Sequence, residues 1–302
     1  MILLPSLNPP PPETMSTEKA ATLIEALPYL QRFRGETFLI KFGGSAMDDP
    51  ELVSNLMRDI VFLEVAGINP VVVHGGGKAI SKAMSDAGLE AKFVGGLRVT
   101  TPETIAVVEE TLDRGINPRL VELVKEHGGK ATGVSGTNVF MARRVMGTDD
   151  KGEPADIGRV GEVIECHTED LRYAISSEIM PVISPLGREE GTGKTLNVNA
   201  DIAAASLAET LKPAKLVFLS DVPGLLRDAS DPDSLIPSVS RAETQALLAD
   251  GTISGGMIPK IQSALGALDA GVRKVHFIDG RVPHTLLLEI FTQSGSGTEI
   301  TA

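Results

Sequence analysis

The stretch VVVHGGGKAI, residues 71–80, runs three β-branched residues into a histidine, three glycines and a lysine. Val71, Val72 and Val73 suit a buried strand. Beyond the glycines, KAISKAMSDAG reads as a helix that stops at Gly88. A strand passing through bare glycines into a helix is half of a βαβ unit. Three residues without Cβ let main-chain N–H groups close on a ligand, and the start of a helix adds positive potential, so the expected guest is an anion.

Outward from there the rhythm recurs. TFLIKF to Phe42, PVVVH to His74, MPVISP to Pro185, KLVFLS to Ser220 and KVHFID to Asp279 are short apolar runs separated by helical patterns. Runs this continuous suit parallel strands covered on both faces. They predict an α/β fold, a three-layer αβα sandwich around a mainly parallel central sheet. Ligands then gather beyond the carboxyl ends of the strands, where the loops are GGSAMDD (43–49), GGGK (75–78) and DVPGLL (221–226). No internal repeat or linker interrupts residues 34–302, which read as one compact chain of two lobes.

The 302 residues carry 40 acidic against 28 basic side chains, a net charge of −12 that repels nucleic acid and anionic membranes. The one cysteine, Cys166, excludes an intramolecular disulfide, and five scattered histidines show no metal-site spacing. Cys166 reads as a buried or incidental thiol, and the compartment as reducing and cytoplasmic. The opening MILLPSLNPPPPET has five prolines and no basic residue before its apolar run. Residues 1–14 therefore read as a disordered, proline-rich tail and not as a secretory signal, with Met15 an equally good start. Residues 15–34 read as a kinked amphipathic helix. Ser16 is the expected N-cap, Leu23, Ile24 and Leu27 share one face, Pro28 is the expected kink, and Leu30 with Phe33 continue the stripe, which needs something to lie on.

Four motifs bear on chemistry. In IKFGGSAM, Lys41 near a strand end precedes Gly43 and Gly44, a natural grip for phosphate. Gly75, Gly76 and Gly77 form the second glycine loop. LNVNAD offers Asn197, Asn199 and Asp201 ahead of an alanine-rich helix beginning near Ile202, which in isolation reads as a helix cap. In ISGGMIPK a further glycine pair precedes Lys260 where a helix begins. Two lysines, three glycine loops and a placed acid are what phosphoryl transfer to a small molecule requires. Rival readings fail on spacing. A dinucleotide fingerprint wants a glycine where Ile80 stands, HGGG has no G-x-S-x-G partner, and GTGKT (191–195) would need a P-loop glycine at Arg188, so it reads as a hairpin or loop.

From about residue 20 to 302, KFGGSAM, VVVHGGGKAI, GGLRVT, LNVNAD, FLSDVPGLL and ISGGMIPK occur in that order, and with them the chain resembles the amino acid kinase family. GGLRVT followed by NVNAD resembles the branch that acts on acetylglutamate. The resemblance implies ATP-dependent phosphorylation of the side-chain carboxylate of N-acetyl-L-glutamate in arginine synthesis, with Mg²⁺ held mainly by the phosphates and no metal-ligating residue. Lys41 and Lys260 would flank the transferring phosphoryl group, and Asp201 would orient both. Gly43, Gly44 and Gly76 would give amides to the phosphates, Gly75 and Gly76 would border the substrate, Arg98 would pair with a substrate carboxylate, and Asn197 would hold the amino-acid portion. Ser220, Asp221 and Gly224 would lie on the nucleotide side. An ionised carboxylate needs no base, in keeping with the lack of histidine in these roles.

The resemblance also divides residues 35–302 into an N-lobe (about 35–210) for substrate and dimerisation and a C-lobe (about 211–302) for nucleotide. LIEALPYLQRF is similar to the N-terminal helix of arginine-inhibited hexameric members, which implies a trimer of dimers. HFIDGRVPHTLLLEIFTQSGSGT is similar to their arginine site, implicating Tyr29, His276, Glu289 and Gly295; ordinary strand-end and helix polar groups are the plainer alternative for His276 and Glu289. The departures are Thr101 where aspartate is common and Thr137 where lysine is common. Competing readings are a catalytically silent regulator that binds ATP or an amino acid on this fold, or another family member. Docking of a nitrogen-signalling protein stays open.

Overall fold

A computed structural model describes residues 17–149, 151–228 and 230–302. The chain opens with α1 (Thr17–Phe33), β1 (Thr37–Phe42), α2 (Pro50–Val65), β2 (Asn69–His74) and α3 (Gly77–Asp86). A ribbon of β3 (Phe93–Val94) and β4 (Leu97–Arg98) leads into α4 (Pro102–Glu109), a π-helical turn (Glu110–Ile116), α5 (Asn117–Glu126) and β5 (Ala131–Val134). Next come β6 (Phe140–Arg144), β7 (Gly147–Thr148), β8 (Pro154–Ala155), β9 (Val160–Cys166) and α6 (Glu169–Ser176). β10 (Met180–Ile183), β11 (Leu186–Glu189), β12 (Thr195–Val198) and α7 (Ala200–Leu211) follow. The last third holds β13 (Lys215–Ser220), β14 (Ser238–Ser240), α8 (Arg241–Ala249), α9 (Met257–Asp269), β15 (Lys274–Asp279), α10 (Thr285–Phe291) and β16 (Thr298–Thr301).

Eight strands form one sheet in the order β14-β16-β15-β13-β1-β2-β10-β5. From β15 to β5 the neighbours run parallel, and β16 is antiparallel to β15. The five apolar runs are all strands of this sheet, and the predicted sandwich is the observed fold. Residues alternate between two apolar layers. Leu39, Val71, Val73, Leu216, Phe218 and Phe277 pack toward α7 and α9, whose Ala203, Ala204, Ala208 and Ala264 allow close approach. Phe38, Ile40, Phe42, Val72, Val217 and Ile278 pack toward α2, α5 and α10. Each fully buried phenylalanine contributes about 1.5–3 kcal/mol.

A second unit was not foreseen. β11, β12, β9 and β6 close into a small barrel, and the GTGKT loop is its hairpin between the antiparallel β11 and β12. The runs of this barrel are short and partly exposed, so they lack the continuous apolar pattern that marks the main sheet. α1 continues as helix on both sides of Pro28. Phe33 is buried and Leu30 partly so, while Leu23, Ile24 and Leu27 are 69, 67 and 43% exposed. The expected cap at Ser16 and the tail of residues 1–14 lie outside the described residues. Among those described, no helix is long and apolar enough to cross a membrane.

Candidate active site

Strand parity decides where the lysine of β1 points. Lys41 shares the face of Leu39, toward α7, and is only 8% exposed. Asn199 caps α7, its side-chain oxygen accepting from the amides of Asp201 at 2.8 Å and Ile202 at 3.2 Å. The cap fixes the first turn and brings Asp201 Oδ1 to 2.7 Å from Lys41 Nζ. The contact is ionic, since Asp201 Oδ1 is the one buried side-chain polar atom among the described residues without an aligned hydrogen bond.

Glycine at residue 43 leaves room for that ammonium, because a Cβ there would stand 2.7 Å from Lys41 Nζ. At Gly76 a Cβ would lie 2.6 Å from Leu112 Cδ2 and 2.8 Å from Ile116 Cδ1, so only bare backbone passes beneath the π-helical turn. Gly43, Gly44, Gly75 and Gly76 line one cavity of about 210 Å³ with Lys41 and Asp201, and Arg98 and Asn197 line it too. The Arg98 guanidinium donates to Gly77 O at 2.7 Å and Ser81 Oγ at 2.8 Å and lies 4.7 Å from the Phe93 ring centre. Asn197 Nδ2 donates to Thr100 Oγ1 at 3.2 Å, and that hydroxyl donates to Arg98 O at 2.9 Å. Asn197 and Arg98 are thus linked through Thr100, and Arg98 in turn reaches the glycine loop.

Lys260 lies in the first turn of α9, on the same side of the sheet. Its Nζ donates to Ser220 Oγ at 2.8 Å and stands 3.7 Å from Asp221 Oδ1, to which Ser220 Oγ in turn donates at 3.2 Å. Burial pushes the Asp221 carboxyl up, but its backbone hydrogen bond, Lys260 and Ser220 outweigh it and hold the group below its ordinary value. Of the two lysines, Asp201 contacts Lys41 alone; Ser220 and Asp221 hold Lys260, because the carboxyl end of β13 lies within its reach. Gly224 packs tightly on β16, where a Cβ would stand 2.5 Å from Thr298 Oγ1. Thr101 caps α4 as an aspartate would, accepting from Thr104 N at 3.2 Å, and Thr137 Oγ1 lies 2.8 Å from Ser135 Oγ. Cys166 is inert at neutral pH, its thiol pushed up to about 12 by burial.

On the opposite face, Tyr29, Glu289 and Gly295 line a cavity of about 520 Å³. His276 lies beneath it, 1% exposed, with Nδ1 2.6 Å from Glu289 Oε1. Glu289 Oε2 accepts from the amides of Ser296 at 2.6 Å and Gly297 at 3.0 Å. The four expected residues therefore come together, three on the wall and one behind it. Missed in the sequence was Lys215, whose Nζ donates to His276 Nε2 at 2.7 Å. Burial lowers its pKa to about 8, the dominant effect against the pull of Glu299. An ammonium can only donate, so His276 Nε2 accepts from Lys215 and its Nδ1–H donates to Glu289; burial, the largest effect, lowers the His276 pKa below its ordinary value. A lysine opening a strand destined for the middle of a sheet was the available signal.

The amino acid kinase family profile matches residues 36–279. The chain belongs to the amino acid kinase family. Among family members, an acetylglutamate kinase from Akkermansia muciniphila is 63% identical over 287 residues, covering 95% of this chain and 97% of that one. A solved N-acetylglutamate synthase from Neisseria gonorrhoeae, complexed with coenzyme A and N-acetyl-glutamate, superposes with TM-score 0.81 at 28% identity over 94% of this chain. The same synthase with coenzyme A and L-arginine gives TM-score 0.75 at 28% identity over 93%. This chain spans 63% and 65% of those two synthase chains.

Proposed function

We propose that the chain transfers the γ-phosphoryl group of ATP to the side-chain carboxylate of N-acetyl-L-glutamate, giving N-acetyl-L-glutamyl 5-phosphate and ADP in arginine synthesis. The observation that carries this reading is the Lys41–Asp201 pair facing a cup of glycine amides, with Arg98 and Asn197 lining the same cavity. The amides of Gly43, Gly44 and Gly76 would take phosphate oxygens, and Gly75 and Gly76 would border the acceptor. Arg98 would turn part of its guanidinium to a substrate carboxylate, and Asn197 would bind the amino-acid portion. Lys41 neutralises charge building on the migrating group from one side.

Lys260 would serve the other side when an N-lobe of about residues 35–210 closes on a C-lobe of about 211–302. Its place in the first turn of α9, which packs on the same side of the sheet as Lys41, supports that role. Ser220, Asp221 and Gly224 belong to the nucleotide side in this reading. Lining the cavity are amide and ammonium donors but a single carboxylate, Asp201. That donor set fits Mg²⁺ arriving on the nucleotide's phosphates, where it would supply charge neutralisation. The test is hydroxylamine trapping with acetylglutamate, ATP and Mg²⁺. Hydroxamate is the expected product, and its absence at full substrate would end the proposal.

A second reading, cytoplasmic feedback control by arginine, is favoured by the cavity around Glu289, whose carboxylate suits a guanidinium, with Tyr29 and Gly295 beside it. The uncovered Leu23, Ile24 and Leu27 suit a like helix from another subunit, as in a trimer of dimers. Deleting residues 1–33 should then lower the mass seen by light scattering and relieve inhibition by arginine; an unchanged mass would count decisively against it.

A further inference from the structure

The three-glycine loop is held from behind. His74 ends β2 on the α2 and α5 face, wholly buried, with Nδ1 2.9 Å from Gly75 O and Nε2 3.2 Å from Asn117 Nδ2. Asn117 Nδ2 also donates to Val182 O at 2.8 Å. A carbonyl can only accept, so that contact fixes which end of the amide faces inward, and Nε2 of His74 must then accept from it. The ring proton is left on Nδ1, where it donates to Gly75 O. Burial lowers the pKa of His74 to about 4, against the opposing pull of Gly75 O and of Asp113, the charge that faces it. The ring is therefore neutral with a single tautomer at physiological pH.

The π-helical turn explains why Asn117 is there. By loosening the helix between α4 and α5 over Glu110–Ile116, it leaves Asn117 buried at the start of α5 and sets Leu112 and Ile116 against Gly76. One irregular turn thus touches both sides of the glycine loop.

We propose that His74 is a positioning residue: its Nδ1–H, fixed by Asn117, pins the carbonyl of the Gly75–Gly76 peptide and keeps the Gly76 N–H, on the opposite edge of that trans peptide, aimed at the phosphate cavity. The inference deepens the kinase reading and rests on it for its consequence in rate.

The first test is the nitrogen spectrum of the full chain with ¹⁵N-labelled histidine, the His74 signal being the one lost in His74→Asn. The expected result is a neutral Nδ1–H ring unchanged from about pH 5.5 to 8.5. A proton on Nε2, or titration near the ordinary histidine value, overturns the proposal. This spectrum needs no substrate, so a wild-type chain that makes no acyl phosphate sinks the kinase reading while the tautomer still decides this one. The second test is Asn117→Asp, whose carboxylate draws the proton to Nε2. The kcat should fall about 10- to 100-fold while KM for the carboxylate acceptor moves little; a reversed tautomer with unchanged kcat overturns the role. His74→Asn, whose amide can reach Gly75 O, should keep more kcat than His74→Leu, and equal losses would reduce His74 to packing.

Discussion

Replacing Lys41 with methionine removes a charge while keeping most of the side chain's length. At 2.7 Å from Asp201 Oδ1, and with an effective dielectric constant near 20, the pair attracts by roughly 6 kcal/mol before dehydration is counted. The two side chains are 10% and 15% exposed, so dehydration offsets much of that attraction. The rate effect comes from elsewhere. In the resting site the ammonium already has a partner, whereas in the proposed transition state it would also meet charge spreading over the phosphoryl oxygens. Losing one such contact costs about 2.7–4 kcal/mol, or 10²- to 10³-fold in kcat. A coupled ADP-release assay should therefore show kcat lowered by that factor with KM for ATP and acceptor within about threefold. Asp201→Asn added to Lys41→Met should cost little more, because the two act as one unit, with a coupling of about 0.5–3 kcal/mol. A variant that kept kcat within tenfold, or lost KM instead, would refute the assignment of Lys41 to the transition state.

Three further outcomes are expected. Burial holds the folded-state pKa of Lys215 near 8, below its ordinary 10.5. Between those values the unfolded chain binds the extra proton, so unfolding free energy should rise with pH by up to about 3 kcal/mol. Urea titrations would show that rise in wild type and not in Lys215→Met; parallel curves would contradict a buried ammonium. Gly76→Ala drives a methyl to 2.6 Å from Leu112 Cδ2 and should cost about 1–3 kcal/mol of stability, with kcat reduced as well; a variant as stable and active as wild type would show that the loop has slack. Glu289→Gln keeps shape but loses the charge for a guanidinium, so half-inhibition by arginine should need about 10- to 100-fold more ligand, a loss of about 1.4–3 kcal/mol. Unchanged inhibition curves would place the guanidinium elsewhere.

The parts of this fold legible in the sequence are those written by continuous apolar runs. TFLIKF, KLVFLS and KVHFID announce strands covered on both faces, and parity along them carries Lys41 and Ser220 to one side and His276 to the other. The glycine loops were legible because bare backbone after a strand has few other uses. Three things were not. The barrel strands alternate weakly and depend on each other for closure. The π-helical turn sets Leu112 and Ile116 over Gly76, a contact between residues some forty positions apart that no local pattern encodes. The contacts of Lys260 with Ser220 and Asp221 went unread because a motif names residues and not which carboxylate or hydroxyl a long flexible side chain reaches.

The place of β1 has a cost during synthesis. It lies in mid-sheet between β2, which follows at once, and β13, which the ribosome delivers about 170 residues later. At about 5–20 residues per second the nascent chain carries TFLIKF with one open edge for roughly 10–30 s. An apolar edge left bare that long invites pairing with other chains, and the single ammonium of Lys41 is the only charge in the segment to discourage it. In the proposed reading, the residue that would meet phosphate in the finished protein would thus also guard an unfinished one on its way out of the ribosome.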